Sequence, residues 1–418
     1  MEEKSTSLIR RFRAFVQRRV VFNLALLARR SNRHTTYIAV TGSSAKTTTC
    51  ALLEHILARV APTAARVGNN TMPSIAPFLR RVTSRHDFAV IEAGIDGPDR
   101  MYHLARLIRP HVGIITMVAL EHRRQMRKLD VVAAEKGILV EHLAKNGIAL
   151  LNADDEMTKG IEARTKGQVI TFGRNQPADY QAIAVSADFP SRLSLQIKGP
   201  ERDLEIQTQL VGEHFWLPVT AAVACASHLG VAPETIAQRV ASFLGPSGRC
   251  SVLELPEGRT AVLDTYKAPQ HSIEVAFDVV RSLRAPRRRI VLGQMSDTTG
   301  SSQSAYRRAY RLAREAADEV IFVGEHAHRH NASAEDIATG RAKDFRHVRE
   351  AADYLKETAV PGEVILFKAN SKLHLERAAL AQIETVACWE SNCGLKYYCK
   401  DCNFYENPRQ QRDGDQVV

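Results

Sequence analysis

The sequence predicts an α/β protein: a first domain with a mainly parallel sheet and a phosphate-binding loop, a second α/β domain, and a small Cys-rich tail. Three observations carry this. Short apolar runs alternate with helical segments in two separate series, a tight polar loop joins the first of these runs to a helix, and four of the seven cysteines fall within 388–402. A chain of 418 residues exceeds the size at which one core stops growing, about 250–300 residues, so two or three domains are expected. The composition, 44% hydrophobic and 25% charged, excludes the disordered and fibrous classes.

Residues 1–36 hold +7 of the formal net charge of +11, with Lys4 and eight arginines set against Glu2 and Glu3. Ile9, Phe12, Phe15, Val16, Val20, Leu24 and Leu27 recur near helical spacing between the arginines, which predicts an amphipathic basic helix over 8–30. Such a helix packs on the next domain or makes peripheral contact with an anionic membrane surface or a partner. The small remaining excess of positive charge argues against a nucleic-acid surface in the main body, because backbone binding gathers many Lys and Arg on one face. The apolar run from Val20 to Ala28 is broken by Asn23 and falls short of the ~20 residues that span a bilayer. No small-residue cleavage site follows it, and a cytoplasmic protein is expected.

From Tyr37 a buried strand (YIAVTG), a polar turn and a helix beginning near Lys46 and running through Leu53 and Ile56 form the strand–loop–helix of a phosphate-binding unit. FAVIEAG (88–94), VGIITMV (112–118) and GIALLNA (147–153) alternate with helical segments and predict a parallel sheet. Residues 168–210 alternate apolar and polar side chains, predicting an antiparallel appendage. After the turn at Gly245–Gly248, the runs AVLDT (261–265), RIVLGQ (289–294), EVIFVG (319–324) and EVILFK (363–368) predict the second domain. The expected boundaries are 1–36, 37–247, 248–387 and 388–418.

The loop reads Thr41-Gly42-Ser43-Ser44-Ala45-Lys46-Thr47-Thr48. Its backbone N–H groups and the helix N-terminus can wrap an anion, Lys46 can neutralise phosphate oxygens, and Thr47 or Thr48 can hold Mg²⁺. In the tail, Cys388, Cys393, Cys399 and Cys402 lie among Trp389, Tyr397, Tyr398, Phe404 and Tyr405. Four thiolates so close in sequence can close a tetrahedral structural Zn²⁺ site, and the aromatics can dock a protein partner. A redox pair or chance clustering is the alternative. The isolated Cys50, Cys225 and Cys250 are expected to be small buried hydrophobes.

The phosphate loop resembles that of the Mur ligase superfamily, T-G-T/S-x-G-K-T/S, with Ala45 in place of the glycine. Alanine is disfavoured at a strained backbone angle, so a weakened nucleotide affinity is expected. Val90-Ile91-Glu92-Ala93-Gly94, with Gly97 and Asp99, is similar to the family's E-x-G-x-x-x-x-G-E segment and makes Glu92 a magnesium ligand by resemblance. MVALEHRRQM gives His122 the place of a histidine that helps bind a second metal. Lys136, in Ala134-Glu135-Lys136-Gly137-Ile138, takes the position of the lysine used in carbamylated form. Asn152-Ala153-Asp154-Asp155 resembles the turn that closes the same domain, and Gly68-Asn69-Asn70 with Pro73 a shortened substrate loop, which implies that Asn69 and Asn70 bind substrate.

Gly212-Glu213-His214 resembles the adenine segment G-x-H-N-x-x-N, with Phe215 and Pro218 replacing both asparagines and Trp216 available to stack on the base. Gly248-Arg249 resembles the P-G-R turn, and Asp264-Thr265-Tyr266-Lys267-Ala268-Pro269 the spacing of a D-x-x-N/H segment. By resemblance, Arg249, Asp264 and Lys267 approach the ATP phosphates or ribose. Lys368 and Asn370 stand where many members have K-G-S-R, which places Lys368 at the acidic group of the amine substrate or at the intermediate.

The resemblance runs from about residue 37 to 380 and implies a P-loop central domain and a Rossmann-like C-terminal domain. It also implies an ATP- and Mg²⁺-dependent ligase that activates a carboxylate as an acyl-phosphate and joins it to an amino acid or other amine, releasing ADP and phosphate. The 36 residues before the first strand stand in place of the family's UDP-sugar-binding domain, so a small-molecule, peptide or carrier-bound carboxylate is expected. Two alternatives are a cell-wall precursor ligase of MurF or MurT type and a nucleotide-binding scaffold with little turnover.

Overall fold

The computed structural model describes residues 19–95, 97–120, 128–281, 284–296, 301–390, 393–395 and 398–407. The chain forms two compact units. The first holds most of the chain up to Gly245, and the second holds Pro246 onward together with Ala187–Arg192 and Leu210–Glu213.

The first unit is built on nine strands: β1 (Thr36–Thr41), β2 (Thr63–Arg66), β3 (Phe88–Glu92), β4 (Val112–Ile115), β5 (Ile148–Asn152), β6 (Gln168–Gly173), β7 (Tyr180–Ser186), β8 (Ser194–Lys198) and β9 (Leu204–Gln207). They lie in the order β2-β3-β1-β4-β5-β6-β7-β8-β9. The pairs from β2 through β7 are parallel, and β7–β8 and β8–β9 are antiparallel. The antiparallel part therefore begins one strand later than the alternation predicts and continues the main sheet. The strand that opens the segment, β6, pairs in parallel with β5 over Gln168–Phe172, while the alternating runs in β7, β8 and β9 form the antiparallel part.

Strands β1, β3, β4 and β5 are almost wholly buried, as expected for parallel strands covered on both faces, where continuous apolar runs replace alternation. The helices are α1 (Lys46–Leu57), α2 (Met72–Arg81), α3 (Arg100–Ile108), α4 (Leu129–Glu141), α5 (Glu156–Glu162), α6 (Trp216–His228) and α7 (Pro233–Ala241). Strand β1 has β3 on one side and β4 on the other. The chain winds outward in both directions from this point, and the carboxyl end of β1 is the crevice where open α/β sheets take ligands.

Residues 19–31 are helical; the rest of the expected 8–30 helix lies outside the described residues. Val21, Phe22, Ala25 and Leu26 face the core, while Val20, Leu24 and Leu27 are exposed. The inward face is therefore the neighbour of the one the periodicity picks. Arg29 selects it: Nε donates to the Ile108 carbonyl at 2.6 Å, Nη2 donates to the Arg109 carbonyl at 2.7 Å, and the guanidinium sits 3.9 Å from the centre of the Tyr37 ring. Among the described residues no helix is long and apolar enough to cross a membrane.

The second unit holds a six-stranded sheet in the order β10-β11-β15-β12-β13-β14: β10 (Ser251–Glu254), β11 (Thr260–Asp264), β12 (Arg288–Leu292), β13 (Glu319–Val323), β14 (Ala342–Phe345) and β15 (Val364–Lys368). Only β10 runs antiparallel to its neighbour. Its helices are α8 (Ile273–Arg281), α9 (Ser302–Ala316), α10 (Ala334–Ala338), α11 (Val348–Glu357) and α12 (Glu376–Leu380). The fully buried Arg289 meets Glu319 at 2.9 Å and Glu363 at 3.3 Å beneath the sheet's amino end. The described tail residues belong to this unit: Cys399 and Tyr405 pack with Leu380 and Val386, flanked by Trp389 and Cys402.

Candidate active site

The phosphate loop is shaped by close backbone approach. Gly42 has φ +149°, and a Cβ on it would lie 1.9 Å from Thr116 Oγ1, so a side chain is excluded. Ser43 N donates to the Met117 carbonyl at 2.8 Å, Ser43 Oγ donates to the Ala119 carbonyl at 2.7 Å, and Thr116 Oγ1 donates to the Ser44 carbonyl at 2.6 Å. These bonds pin the loop to the segment after β4. That segment is held in turn by the Asn-Ala-Asp-Asp turn: Asn152 Nδ2 donates to the Thr116 carbonyl at 2.9 Å, and Asp155 accepts from Val118 N.

Ala45, directly before α1, has φ +66° and ψ −13°, the left-handed conformation. An L-residue there is disfavoured by about 1 kcal/mol. The glycine missing from the sequence pattern is thus missing where the backbone has a use for it. Lys46 is 7% exposed, and its Nζ donates to the carbonyls of Gly42 and Ser43. These partners are neutral, and the ammonium charge is left for an anion. Thr48 is buried and Thr47 half-buried, which makes Thr47 the hydroxyl better placed to reach a cation.

Glu92 ends β3 beside Val40 of β1 and is 2% exposed. Its Oε2 accepts from Gly68 N and its Oε1 from Asn70 Nδ2, both at 2.8 Å. Asn70 is locked further by Gly94, whose N donates to the Asn70 carbonyl at 3.1 Å and where a Cβ would meet the Asn70 side chain at 2.2 Å. Asn70, expected at the substrate, orients Glu92 in this structure, while the neighbouring Asn69 is exposed. Both donors to Glu92 are neutral, so a buried carboxylate keeps its charge for a cation. Lys136 is 2% exposed on α4. The adjacent Glu135 accepts from Asp99 N at 3.1 Å and Met101 N at 2.8 Å, capping α3. His122 lies outside the described residues.

Phe215 is 4% exposed and Pro218 is buried in α6. The two positions that carry asparagine in the family's adenine segment therefore hold apolar core side chains.

In the second unit Asp264 and Lys368 end the neighbouring strands β11 and β15 in register. Lys368 is 1% exposed, and its Nζ donates to Asp264 Oδ2 at 2.6 Å and to the Lys267 carbonyl at 2.8 Å. The substrate acid expected at Lys368 would have to compete with Asp264 for an already neutralised ammonium. Asn370 is fixed by its own backbone, N donating to the Gln294 carbonyl at 3.0 Å. The Arg249 guanidinium lies 4.5 Å from the Tyr266 ring centre, and Lys267 is exposed.

The tail departs from its expected arrangement. Among the described residues the four thiols do not gather into one site; the metal-ligating side chains that converge are His374, Glu376 and Cys399, all buried. The cause is packing, which draws Cys399 into the core under α12 while Cys388, Cys393 and Cys402 stay half-buried. Trp389 and Tyr398 pack on their own domain's core, and Tyr397 lies outside the described residues. No sequence signal links His374 to the cysteines, because it precedes them outside any metal half-site spacing.

A phosphate loop at the switch point of a parallel sheet, a buried carboxylate on the adjacent strand and a second Rossmann-like unit define a nucleotide-dependent α/β enzyme. Residues 40–226 match the Mur ligase middle domain and residues 248–371 the Mur ligase glutamate ligase domain. The UDP-N-acetylmuramoyl-tripeptide–D-alanyl-D-alanine ligase of Bacillus subtilis (strain 168) is 25% identical over 364 residues, covering 84% of this chain and 76% of the relative. Its counterpart from Mycobacterium tuberculosis (strain ATCC 25618 / H37Rv) is 26% identical over 376 residues, covering 84% and 74%. The crystal structure of MurF from Acinetobacter baumannii superposes with a TM-score of 0.80 at 26% identity, covering 88% of this chain and 81% of that one. The chain belongs to the Mur ligase family. It is accordingly an ATP-dependent ligase that forms amide bonds.

Proposed function

We propose that this ligase activates the carboxylate of a peptide or small molecule and joins it to an amino acid or dipeptide amine, as the names of its relatives describe for a UDP-N-acetylmuramoyl-tripeptide and D-alanyl-D-alanine. The observation that carries this reading is the pair of uncompensated charges at the switch point, with Lys46 bound to carbonyls and Glu92 bound to amides. ATP phosphates would take the N–H groups of residues 44–47, since the Ser43 N–H already bonds the Met117 carbonyl, and Lys46 would turn from the Gly42 and Ser43 carbonyls to phosphate oxygens. Mg²⁺ fits the donors present, since the Thr47 hydroxyl and the Glu92 carboxylate are hard oxygen ligands; when bound it offsets phosphate charge.

The acid's carboxylate oxygen attacks the γ-phosphorus, the bond to the β–γ bridging oxygen breaks, and acyl-phosphate and ADP result. The amine then attacks the acyl carbon, phosphate leaves with the bonding pair, and the amine loses a proton. Lys46 holds charge as it moves onto the leaving oxygen. Lys136, in carbamylated form, and His122 are assigned to a second metal, Asn69 to the substrate and Asn70 to the positioning of Glu92. Arg249 and Lys267 are assigned to the nucleotide, while Asp264 and Lys368 neutralise each other and hold the strand ends.

ADP release from Mg-ATP, measured over a panel of acids and amines, tests the reading. Release should need both an acid and an amine and fall by about 10²–10³ in Lys46→Ala. Release that needs neither, or that survives Lys46→Ala, overturns it. Lys136→Ala should lose activity and regain part of it with short-chain carboxylates; full activity removes the carbamate.

A further inference from the structure

We propose that His374, Glu376 and Cys399 form a zinc-class metal site that fastens the tail to the C-terminal domain, with a ligand set different from the four-cysteine one its sequence suggests. The three ligand atoms lie within 4.8 Å of one another, and all three residues are buried. His374 Nδ1 stands 3.4 Å from Cys399 Sγ and 3.5 Å from Glu376 Oε1. Tetrahedral zinc, with bonds of about 2.0 Å to nitrogen and oxygen and about 2.3 Å to sulfur, sets ligand atoms about 3.3–3.8 Å apart. The two measured separations are therefore edges of such a tetrahedron.

The surroundings are those of a metal-binding imidazole. His374 Nε2 lies 3.1 Å from Cys393 Sγ; with Nδ1 on the metal, Nε2–H donates to that sulfur, fixing tautomer and ring orientation as an outer partner does. Arg377 Nε donates to Cys399 Sγ at 3.2 Å and its Nη1 to the Cys388 carbonyl at 3.0 Å. The guanidinium thus holds the sulfur in place without offering a competing ligand. His374 itself has φ +53°, a strained conformation that a non-glycine residue keeps where its surroundings over-determine it. Cys388 and Cys402 act here as chain and packing, and Cys393 as an orienting acceptor.

The full chain, purified without chelator, should contain about one zinc per molecule, the stoichiometry of a single closed site. X-ray absorption on the wild-type protein should count one sulfur and the rest nitrogen or oxygen around the metal. Four sulfurs, or no bound metal after incubation with Zn²⁺, overturns the proposal; this measurement needs no variant to fold. Among variants, His374→Ala and Cys399→Ser should lose the metal, Cys388→Ser and Cys402→Ser should keep it, and Cys393→Ala should bind Co²⁺ about 10-fold more weakly. Metal retained in His374→Ala, or lost in Cys388→Ser, also overturns it.

Discussion

The two units treat charge at their strand ends in opposite ways. At the carboxyl end of β1 and β3, Lys46 donates to carbonyls and Glu92 accepts from amides, so both charges await a ligand. At the carboxyl end of β11 and β15, Asp264 and Lys368 neutralise each other at 2.6 Å. Parallel pairing brings ionisable side chains together in both places. What separates a ligand-taking end from a self-contained one is whether the opposite charge is supplied by the protein, because a buried charge is tolerated only when something compensates it.

The largest expected effect breaks the self-contained end. Asp264→Ala leaves the ammonium of Lys368 buried with only the Lys267 carbonyl, and removing one member of a buried pair costs about 3–5 kcal/mol. Adding Lys368→Met should recover most of that loss. Denaturant unfolding of the full chain, followed by hydrogen exchange in β11 and β15, measures both. If Asp264→Ala leaves stability within about 1 kcal/mol and instead raises the KM of the acidic substrate, Lys368 is a substrate group and the contrast between the two ends disappears.

A smaller effect sharpens the ligand-taking end. Ala45→Gly removes the strain of a left-handed alanine, worth about 1 kcal/mol. If the strain is relieved in the free loop and restored by nucleotide binding, the Kd for ATP should tighten by up to about 5-fold. An unchanged Kd with a raised unfolding midpoint would mean that the strain is present with and without nucleotide.

The sequence makes the interior strands legible because a strand covered on both faces must be apolar throughout; β1, β3, β4, β5, β11, β12, β13 and β15 all stand out for that reason. The strands it hides are β2 (TAAR), β10 (SVLE) and β14 (AKDF). Each is four residues long at a sheet's edge, where one paired side suffices and little is buried. The phosphate loop is legible in full, including the misfit at Ala45, since its function lies in the backbone and the glycine pattern encodes the backbone. The partners of the charged groups are not. Asn70 reaches Glu92 through a loop, Lys368 reaches Asp264 across 104 residues of chain, and His374 meets Cys399 only after the tail has packed. The N-terminal helix offers apolar residues on adjacent faces, and the choice between them rests on Arg29 finding carbonyls.

The smallest effect belongs to the amino end of β1, where the first unit handles charge in a third way. His111 Nδ1 accepts from Tyr37 N at 2.9 Å. Burial, with Arg29 and Arg109 nearby, lowers its pKa from 6.5 to about 4. The folded protein therefore refuses a proton that the unfolded chain accepts below about pH 6.5. Stability is full at neutral pH, declines as pH falls from about 6.5 to about 4, and gains no further slope from this group below that. Because His111 is only partly buried, solvent screening reduces the effect to about 1 kcal/mol. His111→Asn keeps an acceptor for Tyr37 N and removes the titration. Its loss of stability between pH 7.5 and pH 4.5 should be smaller than that of the wild type by about that amount. Equal losses would mean that burial beside Arg29 and Arg109 does not exclude the proton, and that carboxylates elsewhere carry the acid sensitivity of this unit.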